Sequence, residues 1–276
     1  DCSTLSKIVV KDFHLEYTLS CGQLFRVFKS EDWYYITLRN RILKVRQLSD
    51  QLEFCGIDKK SLIHYFALDE PYPDILAQIN KDKHIDKAIR KYHGLRILRQ
   101  DPWECLISFI CSSAANIPKI RLSLELLSQF FGKEIGLNNF KCYTFPHPGE
   151  LNDYEQILKA KTGFRAKYIK ATNDQITEKF LSSLKKLPYS DAKKALTQIP
   201  GVGDKVADCI LLFSLGFTEA FPVDTWIKKI VQKIYFRSRR ISNKKVHEFA
   251  SNYFGRYAGY AQQYLYMYAK DLTYSK

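Results

Sequence analysis

The sequence lacks most of the features that would assign a protein at once. It has no C-x2-C pair, so neither a zinc ribbon nor a redox dithiol is indicated. Its seven cysteines (Cys2, Cys21, Cys55, Cys105, Cys111, Cys142 and Cys209) are odd in number and irregularly spaced. That pattern fits a reducing, intracellular compartment better than a disulfide framework. No cysteine follows Cys209, which leaves no ligands for a C-terminal iron–sulfur cluster. His14, His64, His84, His93, His147 and His247 share no ligand spacing, so no metal site is expected. No run of about eighteen apolar residues is available to cross a membrane. The start of the chain carries Asp, Lys, His and Glu where a signal peptide would be apolar. Internal repeats and low-complexity segments are also missing.

What is present is enough for a core. Hydrophobic residues make up 46% and aromatics 14% of 276 residues, and a chain of this size buries roughly three quarters of its surface on folding. Disordered and fibrous classes are thereby excluded. Lys and Arg number 43 against 29 Asp and Glu, a net charge of +14. Such an excess points to a polyanionic partner, either nucleic acid or an anionic membrane surface.

The first part of the chain reads as β. Short runs rich in Val, Ile, Tyr and Phe at 8–17, 24–28, 33–38, 42–47 and 51–55 are separated by breaks such as Cys21-Gly22 and Ser30-Glu31-Asp32. After Gly56 the pattern turns helical, first at 59–66 and 85–93. Asp101-Pro102 is an N-cap with Pro in the first turn, and Asn116 caps a second helix that ends at Gly132. Further helices are predicted at 154–159, 174–187, 190–198, 205–215, 225–234, 243–254 and 257–271, with residues 138–151 as the longest irregular loop. Trp33 and Trp103 are expected in the core, as is most of the stripe Tyr257, Tyr260, Tyr264 and Tyr268. The fold class is therefore α+β: an antiparallel β-rich unit over 1–98, then a mostly helical unit over 99–276.

One segment carries chemistry. Residues 190–216 contain a helix ending at Ile199, the tight turn Pro200-Gly201-Val202-Gly203, and a second helix capped by Asp204. This is a helix–hairpin–helix. Gly201 and Gly203 let backbone approach another surface without a Cβ. The free N–H groups of the turn and of the following helix, Val202 included, form a nest for one phosphate, bound without reading sequence. Lys205 stands in the first turn, where the helix dipole disfavours a cation. Taken blandly, it is a surface lysine. A nucleophilic amine would have to be brought from about 10.4 to about 7.5, which takes about 4 kcal/mol. The dipole supplies at most about 2 kcal/mol, so burial or a nearby cation must supply the rest. Further on, Phe221-Pro222-Val223 leads to Asp224, by itself an ordinary N-cap, but one whose carboxylate can also face a cleft and stabilise an oxocarbenium-like sugar.

With IPGVGDKVADCILLFSLG followed by PVD, the chain resembles the helix–hairpin–helix DNA glycosylase superfamily, and within it the 8-oxoguanine DNA glycosylases, as a prokaryotic member. SCGQLFR at 20–26, DPWECLISFICSS at 101–113, TGFRAKY at 162–168 and YAGYAQQYLY at 257–266 support the narrower likeness. The resemblance implies base-excision repair of 8-oxoguanine in duplex DNA. Lys205 would be the Schiff-base lysine, with β-elimination following, and Asp224 the essential aspartate. Gly22 would offer its carbonyl to the N7–H that normal guanine lacks, a contact worth about 1–3 kcal/mol. Gln262 would meet the pairing edge, and Cys209 and Tyr266 would sandwich a base flipped out of the helix. It implies no required cofactor, though a structural cation at the hairpin is compatible with it. It also implies a monomer with no membrane partner, acting in the cytoplasm or nucleoid, or in a nucleus.

The sequence departs from that family where the orphan base is read. Ala114 replaces an asparagine in the stretch Ala114-Ala115-Asn116-Ile117-Pro118-Lys119, and Lys119 replaces an arginine, losing its planar fork. Phe164 stands for a tyrosine wedge, Arg165 is retained, and Trp226 stands where a histidine often meets the 5′ phosphate. These changes predict weak discrimination of the base opposite the lesion. Three rival readings fit the residues less well. A non-catalytic DNA-binding module leaves Lys205, Asp224 and Gln262 without a purpose. Glycosylases for other damaged purines commonly lack the lysine. A membrane-surface helix at 227–235 would directly follow the Asp224 motif. The basic stretch Lys228, Lys229, Lys233, Arg237, Arg239, Arg240, Lys244 and Lys245, without one acidic residue between 225 and 245, is expected to follow the duplex backbone.

Overall fold

Five short strands open the chain: β1 (Ser6–Val9), then β2 (Val27–Ser30), β3 (Trp33–Leu38), β4 (Arg41–Leu48) and β5 (Gln51–Cys55), with helix α1 (Leu15–Ser20) between β1 and β2. In this computed structural model, which describes residue 2 and residues 4–274, they form one antiparallel sheet in the order β1-β5-β4-β3-β2. Two-residue turns close the three consecutive hairpins, and Glu31, Arg39 and Ser49 take the left-handed conformation that such turns need. The run 8–17, expected as one strand, splits. Asp12 turns the chain at φ 52° and His14 caps α1 by accepting from the Tyr17 N–H, so the second half is helical.

One face of the sheet, carrying Ile36, Leu43, Val45, Leu52 and Phe54, packs against Leu15 and Leu19 of α1 and against Leu62 and Tyr65 of α2 (Lys59–Tyr65). Helices α3 (Tyr72–Ile79) and α4 (Lys83–Lys91) follow, and their apolar residues join the larger helical core. Neither Pro71 nor Pro73 prevents α3, because proline is compatible with the cap and first turn of a helix.

The helical core is built on α5 (Pro102–Ser112) and α6 (Ile117–Phe131). Asp101 and Asn116 cap them through Glu104 N and Lys119 N. A hairpin, β6 (Glu134–Leu137) and β7 (Phe140–Tyr143), occupies the start of the expected loop, with Asn138 at φ 51° as its turn residue. It covers the other face of the sheet, where Phe140 stacks on Tyr35. A short α7 (Tyr154–Ile157) leads through a π-turn to α8 (Ala166–Gln175) and α9 (Glu178–Leu184), which replace the single helix expected over 174–187. The chain ends with α10 (Tyr189–Thr197), α11 (Asp204–Phe213), α12 (Thr225–Tyr235), α13 (Asn243–Phe254) and α14 (Ala258–Tyr274).

Arg26, at the entry to β2, locks the sheet to the helices. It is buried and donates to Glu104 on α5 at 2.9 Å and to the Tyr143 carbonyl of β7 at 2.6 Å. Two local expectations are corrected. Trp103 is buried but Trp33 is only half-buried, and its ring serves as a platform for Lys44 and Arg46, each 4.4 Å from its centroid. Where the cysteine pattern gives no disulfide framework, Cys2 and Cys55 are bonded, with Cα atoms 5.6 Å apart, while Cys21, Cys105, Cys111, Cys142 and Cys209 are free and buried. No described helix is long and apolar enough to cross a membrane.

Candidate active site

The turn of the helix–hairpin–helix, between α10 and α11, has an internal and an external face. Gly201 has φ +84°, and a Cβ there would lie 2.7 Å from the Tyr168 ring of α8, so its lack of a side chain is used inside the protein. Gly203 faces open space. It is also the N-cap of α11, a role expected of Asp204, which instead sits in the first helical turn. Val202 is buried and its N–H is already bonded to the Ile199 carbonyl, so the amides left for an anion are those of Gly203 and the first turn of α11.

Helix α11 is held in register by a buried ion pair. Asp208, fully buried, accepts from Tyr189 Oη at 2.6 Å and from Lys193 Nζ at 3.0 Å, both on α10. This fixes the azimuth of Lys205 and Cys209, which flank Asp208 at about 60° and about 100° around the helix and open into a cavity of about 680 Å³. The same cavity is lined by Gly22, Asp224, Gln262 and Tyr266, so residues expected from four separate sequence segments meet in one place. Asn116, Ala114 and Trp226 lie on its rim.

Each wall has a physical cause. Lys205 is half-buried and its ammonium stands 5.3 Å from the Phe109 ring of α5. Burial pushes the Cys209 thiol up to about 12, opposed by the charge of Lys205, so it is a neutral thiol at neutral pH. Asp224 caps α12 through Ile227 N at 2.7 Å. Its burial raises the carboxyl above the usual aspartate value, while that hydrogen bond and Lys205 pull it back. Gly22, at φ +80°, lies flat against Tyr266: a Cβ would stand 3.0 Å from the phenol oxygen and 3.3 Å from the ring. Gly22→Ala is expected to displace Tyr266 and to cost about 1–2 kcal/mol in backbone strain. Lesion excision should fall at least tenfold with folding retained, measured by single-turnover kinetics beside a thermal melt.

The residues expected at the orphan base are placed less uniformly. Phe164 is 56% exposed. Arg165 is buried: its guanidinium stacks 4.4 Å from the Phe164 ring and donates to the carbonyls of Ser113 and Thr162. In the free protein it braces the wedge and the Ser113 turn, so touching a base would require it to change partners. Asn116 spends its side-chain oxygen on the α6 cap. Ala114 adopts φ 52°, a conformation in which asparagine is far more at ease than alanine. Lys119 is exposed.

Three further residues contribute that are not among the expected site residues. Gln23 pins the Gly22 turn from beneath, donating to the Thr18 and Arg96 carbonyls at 2.9 and 2.8 Å and accepting from Leu98 N. Lys270 lines the cavity one helical turn beyond Tyr266, 4.7 Å from that ring, and burial holds its pKa below the ordinary lysine value. Gln263 lines it beside Gln262. Periodicity on α14 would have found Lys270, which continues the face of Gln262 and Tyr266 at intervals of four.

Known proteins resemble the chain over most of its length. Residues 7–106 match the family model of the 8-oxoguanine DNA glycosylase N-terminal domain. The N-glycosylase/DNA lyase of Arabidopsis thaliana is 32% identical, covering 95% of this chain and 78% of that protein. A probable N-glycosylase/DNA lyase of Methanothermobacter thermautotrophicus is 32% identical, covering 69% of this chain and 68% of its own. The Clostridium acetobutylicum 8-oxoguanine glycosylase/lyase, solved with double-stranded DNA containing cytosine opposite 8-oxoguanine, superposes with a TM-score of 0.90 at 32% identity, covering 98% of this chain and 99% of that one.

Proposed function

The chain belongs to the 8-oxoguanine DNA glycosylase family, and from that premise we propose how its own residues carry out base excision and strand cleavage. The enzyme is a bifunctional N-glycosylase and DNA lyase acting on 8-oxoguanine in duplex DNA. One observation carries the assignment of roles: a single cavity gathers Lys205, Asp224, Gly22, Cys209, Gln262 and Tyr266.

The duplex is gripped through phosphates, by the Gly203 amides and by cations around α12. Lys229, Lys233, Arg237, Arg239, Arg240, Lys244 and Lys245 are exposed, and Lys228 is half-buried. Among the described residues only Lys244 of this stretch forms an ion pair, with Glu248. Such contacts are salt-dependent and indifferent to sequence. The wedge Phe164 occupies the gap as the lesion leaves the stack, and the base enters between the Cys209 thiol and the Tyr266 ring. There the Gly22 carbonyl accepts N7–H, and Gln262 meets the pairing edge.

Lys205 then attacks C1′. The new C–N bond forms as the glycosidic bond breaks, its electron pair leaving with the base, which takes up a proton. One amine proton passes to the ring oxygen O4′ as the sugar ring opens, leaving a protonated Schiff base whose positive nitrogen draws electrons from C2′. Loss of a C2′ proton then expels the 3′ phosphate by β-elimination. Asp224 opposes the positive charge that builds on the sugar. No step calls for a metal or organic cofactor. We assign these roles to a monomer working inside the cell, where its DNA substrate lies.

Opposite-base selectivity is weak in this reading. Ala114 offers no hydrogen bond, Lys119 no planar fork, and Arg165 is committed to Ser113 and Thr162. Excision rates opposite C, A, G and T are expected to agree within about tenfold, less than two good base contacts would impose. Ala114→Asn with Lys119→Arg should restore a preference for C. A wild-type preference for C above a hundredfold would overturn this point.

A further inference from the structure

Gln263 has no place in the chemistry described above, yet it is 2% exposed in the wall of the active cavity. Its Nε2 donates to Gln262 Oε1 at 2.6 Å. Its own Oε1 is buried with no hydrogen-bond partner among the described residues. A leucine at this position would avoid that unpaired oxygen, so stability does not explain the glutamine.

The neighbouring amide is held from two sides. Gln262 Nε2 donates to the Pro222 carbonyl at 3.0 Å, while Gln262 Oε1 accepts from Gln263. A glutamine amide has two hydrogens and two lone pairs. After these contacts Gln262 keeps one of each, in a fixed order. Turning the amide over would set its oxygen against the Pro222 carbonyl and its nitrogen against the Gln263 nitrogen, acceptor on acceptor and donor on donor. A guanine-type edge presents O6 as acceptor beside N1–H as donor, which suits one donor and one acceptor in a fixed order. An adenine-type edge presents the reverse, a donor at N6 beside an acceptor at N1.

We infer that Gln263 is a positioning residue for specificity: with the Pro222 carbonyl, it holds the Gln262 amide in the orientation that admits guanine-type lesions and turns away adenine-type ones. The inference rests on the reading of Gln262 as the residue that meets the pairing edge. A buried site committed to one hydrogen-bond pattern rejects a base with the opposite pattern strongly.

Duplexes carrying 8-oxoguanine or 8-oxoadenine separate the two readings, because both bases have N7–H and C8=O and they differ at the pairing edge. The measurement is the ratio of kcat/KM for the two substrates. Gln263→Leu and the unbranched Gln263→Met are each expected to lower that ratio about tenfold, the scale of one lost buried hydrogen bond, while the melting temperature stays level or rises. A purely structural role would lower the melting temperature and leave the ratio alone, and that result in both variants overturns the inference. Gln262→Leu is the control. If it too leaves the ratio unchanged, the reading of Gln262 has failed; if it collapses the ratio while both Gln263 variants do not, only the role of Gln263 is refuted.

Discussion

Lys205→Gln should release 8-oxoguanine about a thousandfold more slowly than the parent, or not at all, the scale expected when a covalent catalyst loses its nucleophile. Glutamine keeps a polar head of similar reach, but its amide nitrogen cannot form the bond to C1′. The lysine ammonium lies over Phe109, and α11 is fixed by Asp208 with Tyr189 and Lys193, so the substitution leaves the helix where it is. The hairpin amides and the α12 cations are untouched, and affinity for lesion DNA should change by less than about threefold, since those contacts dominate binding. Filter binding beside single-turnover excision separates the two effects.

Asp224→Asn has the second-largest expected effect and isolates charge from architecture. Asparagine caps a helix as well as aspartate does, so the bond to Ile227 N survives. Excision should nevertheless fall about a hundredfold to a thousandfold, the usual loss when an electrostatic stabiliser is removed. Burial raises this carboxyl above the ordinary aspartate value, and the sign of the consequences follows. The folded protein holds that proton more tightly than the unfolded chain does. Stability from this group is therefore gained as pH falls through the raised pKa, while activity, which in the proposed mechanism needs the carboxylate, should be lost over the same range. The acid limb of the rate should lie above the ordinary aspartate range in the parent and disappear in Asp224→Asn, with melting at neutral pH level or slightly higher. A variant that melts much lower would mean that the carboxylate's role is structural.

The elements that the sequence disclosed are those with local causes. Asp101-Pro102, Asn116 and Asp224 cap helices because a side-chain oxygen reaches its own backbone three residues on, an arrangement visible in any short window. Short breaks between the β runs marked the antiparallel strands because turns, too, are set by a few neighbouring residues. Helices α1 and α3 were hidden because their signals conflict with neighbours: α1 follows an apolar strand-like run, and α3 begins among prolines. The cap of α11 was assigned one residue late because Gly203 has no side chain to announce itself.

The candidate site divides in the same way. Lys205, Asp224, Gly22, Cys209, Gln262 and Tyr266 stand in motifs that survive as words in the chain, and folding brings them to one cavity. Gln23 and Asp208 act through partners that no spacing predicts, the Arg96 carbonyl and the Lys193 amine, whereas Gln263 and Lys270 adjoin the Gln262 amide and the Tyr266 ring on α14 and were legible only from the period of that helix. Arg165 was read as a DNA contact from its motif, and only tertiary structure reveals the two carbonyls that hold it. Composition foretold a polyanion from the +14 charge, whereas the pocket itself is lined mostly by neutral side chains.

The central claim is that a covalent bond forms between Lys205 and the sugar, and the pocket contains a second half-buried amine, Lys270, against which that claim can be judged. Borohydride reduction during reaction with an 8-oxoguanine duplex, followed by peptide mapping of the adduct, tests it most directly. The result predicted is one cross-linked peptide modified at Lys205 and absent from Lys205→Gln. An adduct on Lys270, or full base release with no adduct at all, would contradict it.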